Sequence, residues 1–392
     1  MSRPRVAEPD PTRIAECFAV EAPIIAVQPF GNGLINRTYL VKTRGRDYLL
    51  QRINGAVFPH PAAILENLHR LTLHVRRYPD VGLRLPGLIE SRDRTLGVWD
   101  DGGALWRMLE YLPETRALPR LETSGQADAV GRVLGRFHRV CADLDLRHMA
   151  VTLPDFHVTP VYHARFLEIL ARQRLATLGD EVRAAARFVR SRDGLVEILA
   201  VAMRDGRLPL RIVHGDPKLD NILFDDGGQR VVSLIDLDTV QPGLVHQDIG
   251  DCLRSCCNRR GEAAASAVLD TALCRSILAA YADESAGLLS GAEVALLYDA
   301  LRLIPFELGM RFLTDHLEGD RYFRVHTRGD NLQRALTQFA LVADIEKKEQ
   351  QIRRIIDQAF TGGREAPPST APVSRGCLVD GKACATANPG QG

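Results

Sequence analysis

The tightest constraint on this chain is a run of polar residues at fixed spacing. His214-Gly215-Asp216 is followed after four residues by Asn221, and Asp236 stands twenty positions beyond Asp216. Two short apolar runs, 222–224 and 231–234, lie between them and are joined by Asp225-Asp226-Gly227-Gly228. Such a junction is a hairpin signal. A hairpin brings Asp236 back beside the loop that carries Asp216 and Asn221. Gly215 relieves the tight loop, and Pro217 stiffens the turn after Asp216. A lone H-x-D would read as an ordinary polar loop; three polar positions at this spacing favour a site.

Those residue types suit phosphoryl transfer from a nucleotide. One carboxylate orients or accepts the proton of an attacking hydroxyl. An oxygen-bearing side chain and a second carboxylate hold magnesium against the phosphates. Magnesium prefers hard oxygens and keeps several waters, so Asn plus Asp is an adequate protein share. Asp216 is therefore the expected catalytic base and acceptor contact, and Asn221 and Asp236 the expected metal ligands. No G-x-x-x-x-G-K-[ST] occurs, which disfavours a Walker-type NTPase.

Around this segment the chain changes texture. Residues 10–20 read as a short amphipathic helix. Strand-like runs end at 27–30 and occupy 37–42 and 47–53, linked by Gly31-Asn32-Gly33 and Arg44-Gly45-Arg46 as an antiparallel meander. Pro61 opens a helix to about 75, and two more strands are expected at 87–91 and 104–111. Beyond Pro113 the periodicity is helical, over 124–142, 166–175, 181–203 and 261–357. The expected fold class is α+β and bilobal. A small antiparallel-sheet lobe, 1–112, and a larger helical lobe, 113–360, are expected. Residues 361–392, rich in Pro, Gly, Ser and Ala, are expected to be a disordered tail. Ligands favour the cleft between such lobes.

Composition narrows the partners. Fifty basic against forty-nine acidic side chains leave a net charge of +1, which disfavours nucleic acid as a partner. No run approaches the length of a membrane span, and the start of the chain, MSRPRVAEPDP, has no apolar signal-peptide core. No membrane partner and a cytoplasmic location are expected, with the protein a monomer or weak homodimer. The eight cysteines are scattered. Cys252 and Cys256 share a helical face, no C-x-x-C occurs, and reduced, mostly buried thiols are expected.

The His214–Asn221 segment with Asp236 resembles the catalytic loop and metal segment of the aminoglycoside phosphotransferase and choline kinase superfamily, small-molecule kinases of protein-kinase-like fold. The stretches 30–36, 48–54, 235–239 and 311–320 resemble its N-acetylhexosamine 1-kinase branch most closely. The resemblance spans about residues 20–355. It implies that the 1–112 lobe binds nucleotide and that the 113–360 lobe is catalytic and binds the acceptor. It implies too that ATP and Mg²⁺ are used and that Gly31, Asn32 and Gly33 cover the phosphates. It also implies a hinge for adenine at Glu110, Tyr111 and Leu112, and a structural Asp248 bracing the catalytic loop. His138 resembles a recurrent feature of the superfamily and reads as a hydrogen-bonded core histidine. Leu34 departs from a His frequent in the branch, a change that bears on the acceptor sugar and not on phosphotransfer.

Other candidates complete the expected site. A kinase of this fold wants a cation on its third strand. That strand offers Arg52, with Glu66 of the next helix as its ion-pair partner, and Gln51 on the opposite face. Asn36, Arg311, Asp315 and Tyr322 are candidate sugar contacts. Arg311 and Asp315 sit four apart, so one helical face presents both, either to a ligand or to each other as a salt bridge. The leading reading is an ATP- and Mg-dependent kinase phosphorylating the anomeric hydroxyl of an N-acetylhexosamine or related sugar. The alternatives are a same-fold kinase for another sugar, an amino alcohol or an aminoglycoside, and a nucleotide-binding pseudokinase.

Overall fold

Alternating side chains decide how the N-terminal strands lie. In the computed structural model, which describes residues 9–31, 35–174, 178–260 and 266–361, a short helix α1 (Pro11–Glu16) precedes β1 (Ile24–Pro29), β2 (Arg37–Thr43) and β3 (Tyr48–Arg52). Helix α2 (Pro61–Val75) follows, then β4 (Leu88–Ile89), β5 (Val98–Trp99), β6 (Leu105–Glu110) and β7 (Thr115–Ala117). The sheet runs β1-β2-β3-β6-β4 with β5 beside β6, and every pairing is antiparallel. Its even-numbered positions on β3 and β6, Tyr48, Leu50, Trp106 and Met108, are buried under Ile14, Ala15 and Phe18. Odd-numbered neighbours turn the other way: Ile53 and Leu105 pack with Ile64 and Leu65 of α2. The expectations at Asn32, Gly33 and Leu34, and for the tail over 362–392, lie outside the described residues.

The remainder is helical around a small β region. Helices α3 (Ser124–Cys141), α4 (Thr159–Ala171), α5 (Asp180–Arg190), α6 (Asp193–Val196) and α7 (Ile198–Arg204) lead to β8 (Arg211–Val213). Then come β9 (Ile222–Asp225), β10 (Val231–Leu234) and β11 (Gln241–Gly243). Helices α8 (Val245–Cys256), α9 (Thr271–Glu284), α10 (Gly291–Val294), α11 (Leu297–Leu317), α12 (Asp330–Lys347) and α13 (Glu349–Thr361) complete the fold. Thr123 caps α3 in a reciprocal pair with Gln126. Gly131 then lets α3 meet α9 backbone to backbone, since a Cβ there would stand 2.2 Å from the Ile277 carbonyl oxygen.

One apolar core joins the two parts. Leu68, Leu71 and Val75 of α2 cluster with Phe137 of α3, Val213 of β8 and Ile352 of α13. Beside them the buried Asn67 amide donates to the carbonyls of Ala150 (2.8 Å) and Val240 (2.9 Å). Five cysteines, Cys141, Cys252, Cys256, Cys257 and Cys274, are free and buried, with the Cys252 and Cys256 sulfurs 3.9 Å apart. Among the described residues no helix is long and apolar enough to cross a membrane.

Candidate functional site

The loop after β8 is held from three sides. Gly215 has φ +88°, and a Cβ there would lie 2.7 Å from the Thr239 carbonyl oxygen, so only glycine fits. The Thr239 hydroxyl donates to the His214 carbonyl at 2.8 Å. Asp248, in the first turn of α8, accepts from the backbone N–H of His214 (2.7 Å) and of Gly215 (2.8 Å). His138 of α3 reaches the same carboxylate at 2.9 Å, and its other nitrogen lies 2.9 Å from the Tyr281 hydroxyl. Burial alone would raise the Asp248 pKa, but His138 and His214 hold it below the usual carboxylate value. His214 donates from Nε2 to the Ile235 carbonyl (3.0 Å) and accepts the Asp216 N–H at Nδ1 (3.3 Å), which fixes its tautomer. Burial lowers its pKa and keeps it neutral.

Asp216 emerges from this loop with its side chain 27% exposed. Asn221 closes a short 3₁₀ turn, and its Nδ2 donates to the Asp216 carbonyl (2.8 Å) and to Asp216 Oδ2 (3.0 Å). Both partners accept only, so the amide is oriented and its oxygen is left for a cation. The Lys218 ammonium lies 2.5 Å from Asp216 Oδ2. The hairpin β9–β10 forms, and the Ile235 N–H donates to the Asn221 carbonyl at 2.9 Å. Asp236 follows in the left-handed region, at φ 60°.

Asp236 opens onto solvent by surface area, yet protein surrounds it closely enough to disfavour its charge. That desolvation, then Asp238 and Asp216, push its carboxyl up to about 6, against Lys218 and Arg107. Crowded carboxylates beside an oriented amide oxygen are a hard-oxygen donor set with surplus negative charge. They fit magnesium completed by waters and phosphates. Among the described residues no three His, Cys, Asp or Glu side chains form a metal cage by themselves.

The sheet reaches this hairpin through a polar row. Thr38, Gln51 and Arg107 are register partners across β2, β3 and β6. Gln51 donates to Thr38 Oγ1 at 3.0 Å and accepts from Arg107 Nη2 at 2.7 Å. The buried Arg107 guanidinium then pairs with Asp238. Asn36 donates to the other Asp238 oxygen at 2.6 Å and accepts the Asn54 N–H at 3.0 Å.

Arg52 and Glu66 are not brought together. Arg52 belongs to the even-numbered face and lies 3.5 Å from Asp100, while Glu66 pairs with Arg70 on the surface of α2. Sequence reasoning missed Arg107 because its partners lie on other strands and 131 residues away. It also missed Lys218, two residues after Asp216 and visible in the motif itself.

At the start of the meander, Gly31 adopts φ +71°, and Phe30 packs edge-on to Tyr111 at 5.9 Å. Glu110 accepts from the Gly87 N–H at 3.1 Å. Leu112 is buried, its carbonyl taken by the Thr115 hydroxyl at 2.8 Å.

On the other side of Asp216 stands α11. The Arg311 guanidinium lies among the rings of Tyr162 (4.7 Å), Phe156 (5.5 Å) and Phe323 (5.6 Å). Burial opposes its charge, but Tyr162, Glu307, Tyr322 and Asp216 raise its pKa. It forms no ion pair with Asp315. That carboxylate instead caps the chain after α11, accepting from the N–H groups of Arg321 (2.8 Å), Tyr322 (2.8 Å) and Phe323 (2.9 Å). Tyr322 is 52% exposed. Sequence reasoning also missed Glu307 of α11, buried and bonded to His157 (2.9 Å) and the Thr159 hydroxyl (2.6 Å).

The fold has known counterparts. The model of the APH phosphotransferase enzyme family matches residues 26–284. The chain belongs to that family. An aminoglycoside phosphotransferase from Alicyclobacillus acidocaldarius superposes with a TM-score of 0.57 at 16% identity, covering 89% of this chain and 98% of its own. A choline kinase from Cryptosporidium parvum gives 0.57 at 14%, covering 87% and 95%. An amicoumacin kinase solved with AMP-PNP, Ca²⁺ and amicoumacin gives 0.52 at 15%, covering 86% and 92%. The phosphotransferase family thus shares the α+β, protein-kinase-like architecture expected from the sequence.

Proposed function

We propose that this phosphotransferase is an ATP- and magnesium-dependent kinase that phosphorylates the anomeric hydroxyl of an N-acetylhexosamine or a related sugar. The observation that carries the reading is the meeting of Asp216 and Asn221 (3.0 Å) on a loop bonded to the strand end that presents Asp236. Asp216 takes the proton of the acceptor hydroxyl. An anomeric hydroxyl is more acidic than an ordinary alcohol, so a carboxylate base suffices. Asn221 and Asp236 would hold magnesium, which when bound offsets charge on the phosphate oxygens. Lys218 and Arg107, rather than Arg52, place positive charge beside these carboxylates. Most of the acceleration comes from positioning and fixed charge.

On this reading residues 1–112 hold the nucleotide, with Gly31, Asn32 and Gly33 over the phosphates and Glu110, Tyr111 and Leu112 along adenine. Residues 113–360 supply the base and the acceptor site. The two cations nearest Asp216 outside the crowded carboxylates, Lys218 and Arg311, favour a sugar over a cationic acceptor. Arg311 and Lys218 repel an aminoglycoside or choline, whereas a guanidinium among aromatic rings suits the oxygens and flat faces of an acetamido sugar. Asp315 has committed its oxygens to backbone N–H groups, and Asn36 its amide to Asp238 and the Asn54 N–H, which leaves Arg311 and Tyr322 beside Asp216 as the sugar contacts.

The test is nucleotide consumption across a panel of free sugars, amino alcohols and aminoglycosides, with phosphorus NMR of the product. A sugar 1-phosphate supports the reading; turnover of choline-like or aminoglycoside acceptors alone overturns it. Asp216→Ala should retain nucleotide binding and lose transfer, and wild-type turnover in that variant would remove Asp216 as the base.

A further inference from the structure

His157 sits between the catalytic loop and α11 and has no part in the reaction as described so far. Its side chain is 9% exposed. Its Nε2 lies 3.0 Å from the Gly215 carbonyl oxygen, and its Nδ1 lies 2.9 Å from Glu307 Oε1. A carbonyl oxygen and a carboxylate only accept hydrogen bonds. A neutral imidazole has one N–H and one lone pair, so either tautomer would point a lone pair at an acceptor. Only the doubly protonated ring satisfies both contacts.

The backbone supports a purpose-built placement. His157 has φ 58° and Asp155 φ 60°, two left-handed non-glycine residues within three positions. Such strain persists only where the surroundings enforce it. Here Gln247 of α8 donates to the His157 carbonyl at 2.9 Å, and the Phe156 ring lies tilted against the imidazole, centroids 4.1 Å apart. The charged groups that act on the ring are Glu307 of α11 and Asp251 of α8, with Arg311 beside Glu307 and Asp216 acting on Asp251 and Arg311. Burial opposes the imidazolium, and Glu307, Asp251 and the Gly215 carbonyl together more than offset it.

We propose that His157 is a positioning residue, held as an imidazolium, that ties the Gly215–Asp216 peptide to Glu307 and so sets the base against an acceptor bound on α11. This inference rests on the kinase reading above. The carbonyl end of that peptide is gripped by His157, and its N–H end by His214 Nδ1 at 3.3 Å. The peptide plane that carries Asp216 is thereby fixed at both ends. Glu307 stands one helical turn before Arg311, so the acceptor wall and the base share one rigid element.

Two measurements on the full chain test it. Nitrogen NMR of histidine-labelled protein should show both His157 ring nitrogens protonated between about pH 5 and about pH 8. His157→Gln assigns the signal by its loss; if that variant does not fold, Glu307→Gln assigns it by its shift. A ring that is neutral, or that titrates near the ordinary value of about 6.5, overturns the proposal. The second is steady-state ATP turnover, with the best acceptor of the panel or, failing any, with water. His157→Gln should lower kcat on the order of 10²-fold, with KM for ATP within about twofold. Wild-type kcat in His157→Gln alongside a dead Asp216→Ala overturns the inference and leaves the kinase reading standing. An active Asp216→Ala overturns the kinase reading and the positioning role with it, whatever the ring's charge.

Discussion

A carboxylate with both oxygens committed to donors cannot be replaced by its own amide. Asp248 accepts from two backbone N–H groups and from His138, so Asp248→Asn would turn an NH₂ group toward one of those donors. The expected cost is about 3 kcal/mol, read from urea unfolding. The pH dependence has a defined sign. The folded Asp248 pKa lies below its unfolded value of about 3.9, so its contribution is whole above that pH and is lost as pH falls through the folded value. Wild type should therefore lose stability in that acid window, and Asp248→Asn should lose less. At this scale the closeness of Asp216 and Asn221, and the hairpin that returns Asp236 beside them, were legible, because the spacing of these residues encodes it. Arg107 was not, because a guanidinium buried between Gln51 and Asp238 looks in the sequence like any charge on a strand. Arg52 misled for a related reason: the alternation of β3 turns it away from α2 and toward Asp100.

Elements stand or fall with their closest approaches. Gly131→Val would drive a Cβ to 2.2 Å from the Ile277 carbonyl oxygen, forcing α3 and α9 apart. About 3 kcal/mol of destabilisation is expected by denaturant unfolding. Gly194 of α6 has nothing within 4 Å, so Gly194→Ala should instead gain up to about 1 kcal/mol. The contact of sheet with hairpin is a separate case. Asn36→Ala removes one of two donors to Asp238, and amide exchange in β2 and β3 should quicken while that in α3 stays unchanged. Helix α2 was legible to its ends because Pro61 and a regular apolar stripe mark it. Helix α4 begins at Thr159, seven residues before the expected 166, because its first turns carry mostly exposed or half-exposed side chains and only Pro160 signals the start. The expected helix 181–203 divides into α5, α6 and α7 at Ser191-Arg192 and Glu197. Strand β5, of two residues, is too short to leave a local pattern, and β7, of three, exists through pairing with the distant β9.

For the whole molecule, the surplus negative charge at the hairpin predicts linked binding. ATP with Mg²⁺ at about a hundred times the dissociation constant should stabilise the fold by about 2.7 kcal/mol, read as a rise in Tm. Chelating the metal, or Asp236→Asn, should remove most of that rise; an equal rise without metal would place the cation elsewhere. The bilobal plan was legible in the switch from alternating strands to helical periodicity. How the halves are fused was not, because it depends on which side of α2 is shared. That helix lends its apolar stripe to a core that runs on to Ile352, Ile355 and Ile356 of the last helix. A fragment ending at residue 112 would leave Leu68, Leu71, Val75 and Leu109 bare to water, so neither piece of a bisected gene should yield a folded product by itself, and the cleft can open only as far as a continuous oily seam allows.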